Sequence, residues 1–286
     1  MIALRKIISF LRNQLKYFVN VFFIFQAIKY RDLLKKNLQI KNRFNSEKRC
    51  FIVGSGNSLN NIDTKLLKDE IIIGINAGYL KEDVVRARIK MWIIIDYFFL
   101  NPLPIEAIKA IEENVGDAIY FVPVQAKKII DQYNLFSGKQ VYYLFFSTTI
   151  NNRYISNQSK YLNLESPIFK PIGSVETAIV CARYLGIKSI NLIGCDSDWF
   201  AKLSDEHRHF FKESENVHSI DSKIPKDWVD HNSMESKLLY GYLLYKAYRL
   251  LNELLKSEND VSIYNASGGG LLDVFPRIKY EDLFKN

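Results

Sequence analysis

The sequence predicts an α/β fold, one largely parallel β-sheet with helices on both faces. From Lys48 onward, short apolar runs alternate with helical stretches, the pattern of successive strand-helix-strand units. The runs are predominantly apolar rather than strictly alternating with polar residues, as strands buried on both faces are. Several runs end directly in Gly, Asn or Asp, and in such sheets ligands bind outside the carboxyl ends of the strands.

The expected strands are Cys50–Val53, Ile71–Ile75, Met91–Ile95, Ala118–Val122, Gln140–Phe145, Ser189–Ile193 and Val261–Tyr264. The expected helices are Ile105–Asn114, Lys127–Gln132, Val175–Leu185 and Glu235–Lys256. No internal repeat, low-complexity tract or Pro/Gly-rich linker divides this stretch, so residues 46–286 read as a single domain.

The first 45 residues read differently. Arg5, Ser9, Arg12, Asn13, Lys16 and Asn20 form one stripe of a helix, opposite Ile7, Phe10, Leu11, Leu15, Phe18, Val19, Phe22 and Phe25. The longest apolar stretch, Tyr17 to Phe25, is too short to span a bilayer and carries Asn20. Arg12 and Lys16 interrupt what a cleaved signal peptide would need as an unbroken apolar core. An amphipathic helix lying in an anionic membrane surface fits, with Lys29, Arg31, Lys35, Lys36, Lys41 and Arg43 extending its basic character. The alternative is packing on the body or on a second subunit, which leaves a homo-oligomer open.

Charge supports that division. The 286-residue chain carries a formal +8, yet residues 1–50 hold twelve Lys and Arg against two acids, so the remainder is slightly acidic. A nucleic-acid groove is therefore not expected. A hydrophobic fraction of 48% with 13 Gly and 7 Pro excludes collagenous and disordered classes. Cys50, Cys181 and Cys195 have neither the parity nor the spacing of a disulfide framework or zinc site, which indicates a reducing compartment.

Candidate site residues follow the strands in order. The first strand ends in Gly54-Ser55-Gly56-Asn57-Ser58-Leu59, where two glycines let a phosphate or ribose approach the backbone and Asn57 and Ser58 add donors. A tight turn is the plain alternative. Leu59 replaces the third small residue of a dinucleotide fingerprint, and the second strand ends in Asn76 rather than an acid, which argues against NAD. Gly173-Ser174 precedes an apolar helix, with Ser174 as its N-cap or as part of an anion site at the helix N-terminus. Gly194-Cys195-Asp196-Ser197-Asp198 follows the sixth run, and its two carboxylates suit a divalent metal or a ribose.

Residues 197–232 form a polar stretch with all four histidines, His207, His209, His218 and His231, and read as a lid. Their spacing argues against zinc. His231 stands before Asn232-Ser233-Met234-Glu235, which has the spacing of a capped helix start, so it is placed as a general base.

Taken together, Ile52-Val53-Gly54-Ser55-Gly56-Asn57-Ser58-Leu59, Asn76, Gly173-Ser174, Leu185-Gly186, Leu192-Ile193-Gly194-Cys195-Asp196 and the late His-Asn-Ser resemble bacterial sialyltransferases of the Campylobacter lipooligosaccharide type. Ile263-Tyr264-Asn265-Ala266-Ser267-Gly268-Gly269-Gly270 with Val274-Phe275-Pro276-Arg277 resembles a wider group of bacterial cell-envelope proteins. The likeness runs from about residue 48 to 284.

The resemblance implies a Rossmann-like nucleotide-sugar transferase fold, and transfer of sialic acid, Kdo or a related nonulosonate from a CMP-activated donor to a cell-envelope glycan or glycolipid. No metal is required, though a divalent ion is an alternative. The Gly54–Ser58 turn and Asn76 would meet cytidine and phosphate, Gly173 and Ser174 the donor's carboxylate or phosphate, and Gly194 and Asp196 the ribose. His231 would be the catalytic base.

Two departures stand out. Asp198, followed by Trp199, occupies the place of a phosphate-binding tyrosine, so His209 is the expected replacement, with Arg208 as a weaker candidate. Asp96 stands where the family has Asn. Competing readings are a metal-dependent NDP-sugar transferase using Asp196 and Asp198, a pterin-type diphosphokinase using ATP, and a non-catalytic nucleotide-binding adaptor. The expected location is the cytoplasmic face of the inner membrane, held peripherally.

Overall fold

The computed structural model describes residues 25–99, 103–147, 162–169, 171–201, 209–211, 233–257 and 261–285. Seven strands form an all-parallel sheet: β1 (Cys50–Val53), β2 (Ile71–Ile75), β3 (Ile89–Ile93), β4 (Ile119–Pro123), β5 (Gln140–Leu144), β8 (Ser189–Ile193) and β9 (Ser262–Asn265). The order is β5-β4-β3-β2-β1-β8-β9. Strands β1 to β5 march one way from the centre and β8 and β9 the other, so the order reverses between β1 and β8. A two-residue pair, β6 (Phe146–Ser147) and β7 (Ile168–Phe169), lies outside this sheet.

The apolar runs are strands because both faces are covered. Cys50 and Ile52 of β1 enter one core, and Phe51 and Val53 enter the other. Among the described residues the α-helices include α1 (Arg31–Lys35), α2 (Glu82–Val85), α3 (Ile105–Val115), α4 (Ala126–Tyr133), α5 (Ser174–Tyr184) and α6 (Met234–Ser257). The first core takes Ile179 and Cys181 of α5 with Leu251 and Leu255 of α6, and the second takes Ile108 and Ile111 of α3 with Ile130 of α4.

Strand β3 begins and ends two residues before the expected Met91–Ile95. Lys90 fits inside it because its amine donates to the carbonyls of Val85 and Val115, while Ile94 and Ile95 are buried in the turn that follows.

Residues 31–45, grouped by sequence with the basic N-terminal segment, wrap the β5 edge. Leu34 enters one core, Ile40 and Phe44 enter the other, and buried Asn37 donates to the carbonyls of Tyr143 (2.8 Å) and Leu164 (2.6 Å). Lys41 pairs with Glu165 and Arg43 donates to Gln140, so part of this basic arm serves the body itself. An edge strand left bare would offer unpaired backbone groups to other chains, and this wrap covers it. The helix read over residues 1–24 lies outside the described residues. Among the described residues no helix is long and apolar enough to cross a membrane.

Candidate functional site

A cavity of about 360 Å³ opens at the carboxyl ends of β1, β2, β3 and β8, at the reversal of strand order. It is lined by Gly54, Ser55, Gly56, Asn76, Asp96, Gly173, Ser174, Gly194, Asp196, Asp198 and His209, which six separate segments bring together. Asn57 and Ser58 do not line it. His231 lies outside the described residues, as do His207, Arg208 and His218 and most of the lid.

The β1 side is two turns packed into each other. Gly54 donates to Ile193 O (2.9 Å) and Gly56 donates to Gly194 O (2.7 Å). A Cβ on Gly54 would stand 2.4 Å from Gly194 O, and Gly194 itself has φ +60. The glycines are therefore required by turn-on-turn contact, which reading them as ligand approach alone does not capture. Asp196, only 4% exposed, accepts the Ser58 N–H at 2.9 Å through Oδ2 and the Ser58 hydroxyl through Oδ1.

The C-terminal glycine-rich segment buttresses the same turn. Ser267 Oγ accepts the Cys195 N–H (3.1 Å), Leu271 N–H donates to Asp196 O (2.8 Å), and Arg277 holds the carbonyls of Gly269 and Gly270. Asn57 accepts from Asn60 instead of facing the cavity.

The opposite side is a chain of side-chain hydrogen bonds. Asn76, in the left-handed region at φ 44, donates from Nδ2 to Asp96 Oδ2 (2.7 Å), and the Ser174 hydroxyl donates to the same oxygen (2.9 Å). Trp92 fixes Asn76 by donating its indole N–H to the Asn76 carbonyl (3.0 Å). With Nδ2 committed to a carboxylate, Asn76 Oδ1 is a buried acceptor, and it has no hydrogen-bond partner among the described residues.

Ser174 is not the N-cap of α5. Gly173 holds that position, and Glu176 accepts the Gly173 N–H (2.5 Å) and the Ile172 N–H (3.4 Å), which leaves the Ser174 hydroxyl for Asp96. Complete burial pushes the Glu176 carboxyl up to about 8, against the smaller opposing effect of those N–H donors.

α6 supplies a third side through Leu244 and Tyr248, with Trp199 closing over it against Tyr240 (ring centroids 5.7 Å apart). Burial raises the Tyr248 phenol well above its ordinary value, with a smaller contribution from Glu176 in the same direction. Ser233 caps this helix, its hydroxyl accepting the Ser236 N–H (3.2 Å).

Leu244 and Tyr248 are four residues apart on α6, on one face of the helix, and are not among the site residues expected from the sequence. Cys195 lines the cavity too, buried, with its thiol pushed up to about 12 chiefly by that burial. Such a thiol is not a nucleophile at neutral pH.

His209 joins the cavity through a single backbone bridge to Gly56. Its Nδ1 lies 3.1 Å from Ser55 Oγ and 3.3 Å from the Ser55 carbonyl, and its ring stacks on Phe211. A carbonyl only accepts, so a hydrogen bond to it requires the proton on Nδ1.

Asp96, Asp196 and Asp198 line the space, and among the described lining residues only His209 can carry positive charge. An anionic group bound there meets partial positive charge at the N-terminus of the eleven-residue α5. Among the described residues no group of three or more His, Cys, Asp or Glu is placed to hold a metal ion. Because both Asp196 oxygens engage Ser58, the expected Asp196–Asp198 clamp is not poised for one.

Comparison with solved structures finds the sialyltransferase CstII. A variant of CST-II in complex with CMP is 16% identical, with a TM-score of 0.47 over 81% of this chain and 86% of that one. CstII from Campylobacter jejuni with cytidine-5'-monophosphate is 15% identical, with a TM-score of 0.43 over 80% and 87%. CST-II with a trisaccharide acceptor and CMP is 16% identical, with a TM-score of 0.40 over 80% and 85%. No family model matches the sequence, and no curated protein matches it.

Proposed function

We propose that this chain is a glycosyltransferase that moves a nonulosonate, sialic acid or Kdo among them, from a CMP-activated donor to a cell-envelope glycan or glycolipid. The observation that carries the reading is the polar cavity at the reversal of strand order, where open α/β sheets bind nucleotides. The ordered motif likeness from residue 48 to 284 supplies CMP as the nucleotide and a sugar as the group moved.

The chemistry asks little of the protein beyond placement. CMP leaves readily, so the site must orient an acceptor hydroxyl, take its proton and offset charge on the departing phosphate. The exposed Asp96 carboxylate is an acceptor for nucleoside or sugar hydroxyls, held in place by Asn76 and Ser174. The α5 N-terminus and His209 offer the positive end for phosphate. His231 is the proposed general base, on sequence grounds. No step is assigned to a metal. The N-terminal amphipathic segment would keep the enzyme peripherally at the cytoplasmic membrane face, beside an acceptor confined to that surface, where tethering raises effective concentration.

A donor screen tests the reading. CMP-Neu5Ac and CMP-Kdo are incubated with the full chain, with and without EDTA, and release of CMP is followed. Hydrolysis of at least one donor, insensitive to EDTA, is expected. Cleavage of UDP-sugars alone, or activity restored only by manganese, would contradict it. His231→Ala should lower turnover by about 10² to 10⁴ while CMP still binds, and unchanged turnover removes His231 from the mechanism.

A further inference from the structure

Two exposed apolar patches stand at the same end of the sheet as the cavity. The first is at the β5 edge. Phe25 is 67% exposed and Ile28 63%, in a helical turn spanning residues 25–29. Tyr30, next in the chain, packs on Phe145, which directly follows the carboxyl end of β5, while Arg43 reaches Gln140 at the strand's start. The chain thus runs down β5 from Tyr30 to Arg43, and residues 25–29 stand at the carboxyl end. Exposed Lys29, Arg31, Lys35 and Lys36 surround them, with Asp32 the one acid in that stretch.

The second patch is on α6. Met234, Leu238 and Tyr242 recur at every fourth position, and with Leu239 they are between 49% and 60% exposed. Gly241, Leu244 and Tyr248 on the inward face pack against the body. Leu244 already lines the cavity, so at 1.5 Å per residue Met234 lies about 15 Å farther along the helix, beyond the cavity and away from the sheet. α6 packs beside β9, and β5 and β8 are five places apart in the sheet, which puts the two patches roughly 24 Å or more from one another.

We propose that the carboxyl end of the sheet is the membrane-facing surface, with Phe25 and Ile28 on one side of the cavity and Met234, Leu238, Leu239 and Tyr242 on the other entering the interface of an anionic bilayer. The cavity mouth then opens toward the lipid. A flat lipid surface meets both patches at once, where a single peptide would cover one. The basic residues around Phe25 complement anionic headgroups. The inference deepens the membrane part of the reading above and does not depend on which nucleotide binds.

The test is co-sedimentation of the full chain with vesicles of phosphatidylcholine, with and without phosphatidylserine. Leu238→Ser combined with Leu239→Ser should lower partitioning into phosphatidylserine vesicles about fivefold or more, and so should Phe25→Ser with Ile28→Ser. Leu66→Ser, at an exposed leucine toward the amino end of the sheet, should leave partitioning unchanged. Unfolding temperature and CMP titration are measured on every variant, so that loss of fold or of the nucleotide reading registers separately. Wild-type partitioning by the Leu238/Leu239 variant would overturn the proposal. So would light scattering that finds a wild-type dimer reduced to monomer by those substitutions, with vesicle binding intact.

Discussion

The two walls of the cavity are built on opposite plans. On the β1/β8 wall nearly every polar group is satisfied by the protein itself: Gly56 by Gly194, Ser58 by both Asp196 oxygens, and Cys195 by Ser267. On the β2/β3/α5 wall, Asn76, Asp96 and Ser174 reach across from three elements to meet at one exposed carboxylate, and Asn76 Oδ1 has no partner among the described residues. One wall is scaffold and the other holds acceptors for a ligand. A glycine-rich turn thus draws attention in the sequence, while the residues able to read a ligand are isolated polar positions after separate strands.

The sharpest way to break this comparison is on the scaffold wall. Gly54→Ala places a methyl 2.4 Å from a backbone oxygen that cannot withdraw, so a loss of about 3 kcal/mol or more is expected in urea unfolding. A near-neutral result would mean the two turns are not locked together.

Next comes the foundation of the reading wall, Glu176 beneath Gly173. Its carboxyl is held at about 8 in the folded protein against 4.5 for an ordinary glutamate. Its contribution is fully present below about pH 4.5, where both states are protonated, and declines as pH rises to about 8 because the unfolded chain sheds the proton first. Over that window stability should fall by on the order of a few kcal/mol. Glu176→Gln keeps an acceptor for the Gly173 N–H and should flatten the profile. An unaltered pH dependence would contradict the buried, neutral carboxyl.

The smallest effect sharpens the boundary between the walls. Asn57→Ala, in the glycine-rich turn but turned toward Asn60, should change CMP affinity by less than about twofold in calorimetry. A larger loss would return Asn57 to the binding surface.

What was legible in the sequence follows from where local chemistry decides structure. β1, β2 and β8 lie where the apolar runs placed them, because strands buried on both faces are dominated by apolar residues from end to end. Gly54, Asn76, Asp96, Gly173 and Gly194 converge because parallel strands put every carboxyl end on one side of the sheet.

Long-range partnerships were not legible. Asn37 gives no signal that it will donate to carbonyls more than a hundred residues away, so the sequence grouped residues 31–45 with the N-terminal segment although they wrap β5. Ser174 fits the N-cap rule, and only the buried Glu176 explains why Gly173 takes that place. The two-residue strands β6 and β7 are too short for any periodicity to register.

The central claim is that the β2/β3/α5 wall reads the donor nucleotide. Titrating CMP calorimetrically into the wild-type chain and into Asp96→Ala, with unfolding temperatures recorded for both, tests it most directly. The account predicts that wild type binds CMP, that Asp96→Ala weakens binding about tenfold, equivalent to about 1.4 kcal/mol, and that its unfolding temperature stays unchanged because Asp96 is exposed. Equal CMP affinity in the two proteins would contradict it.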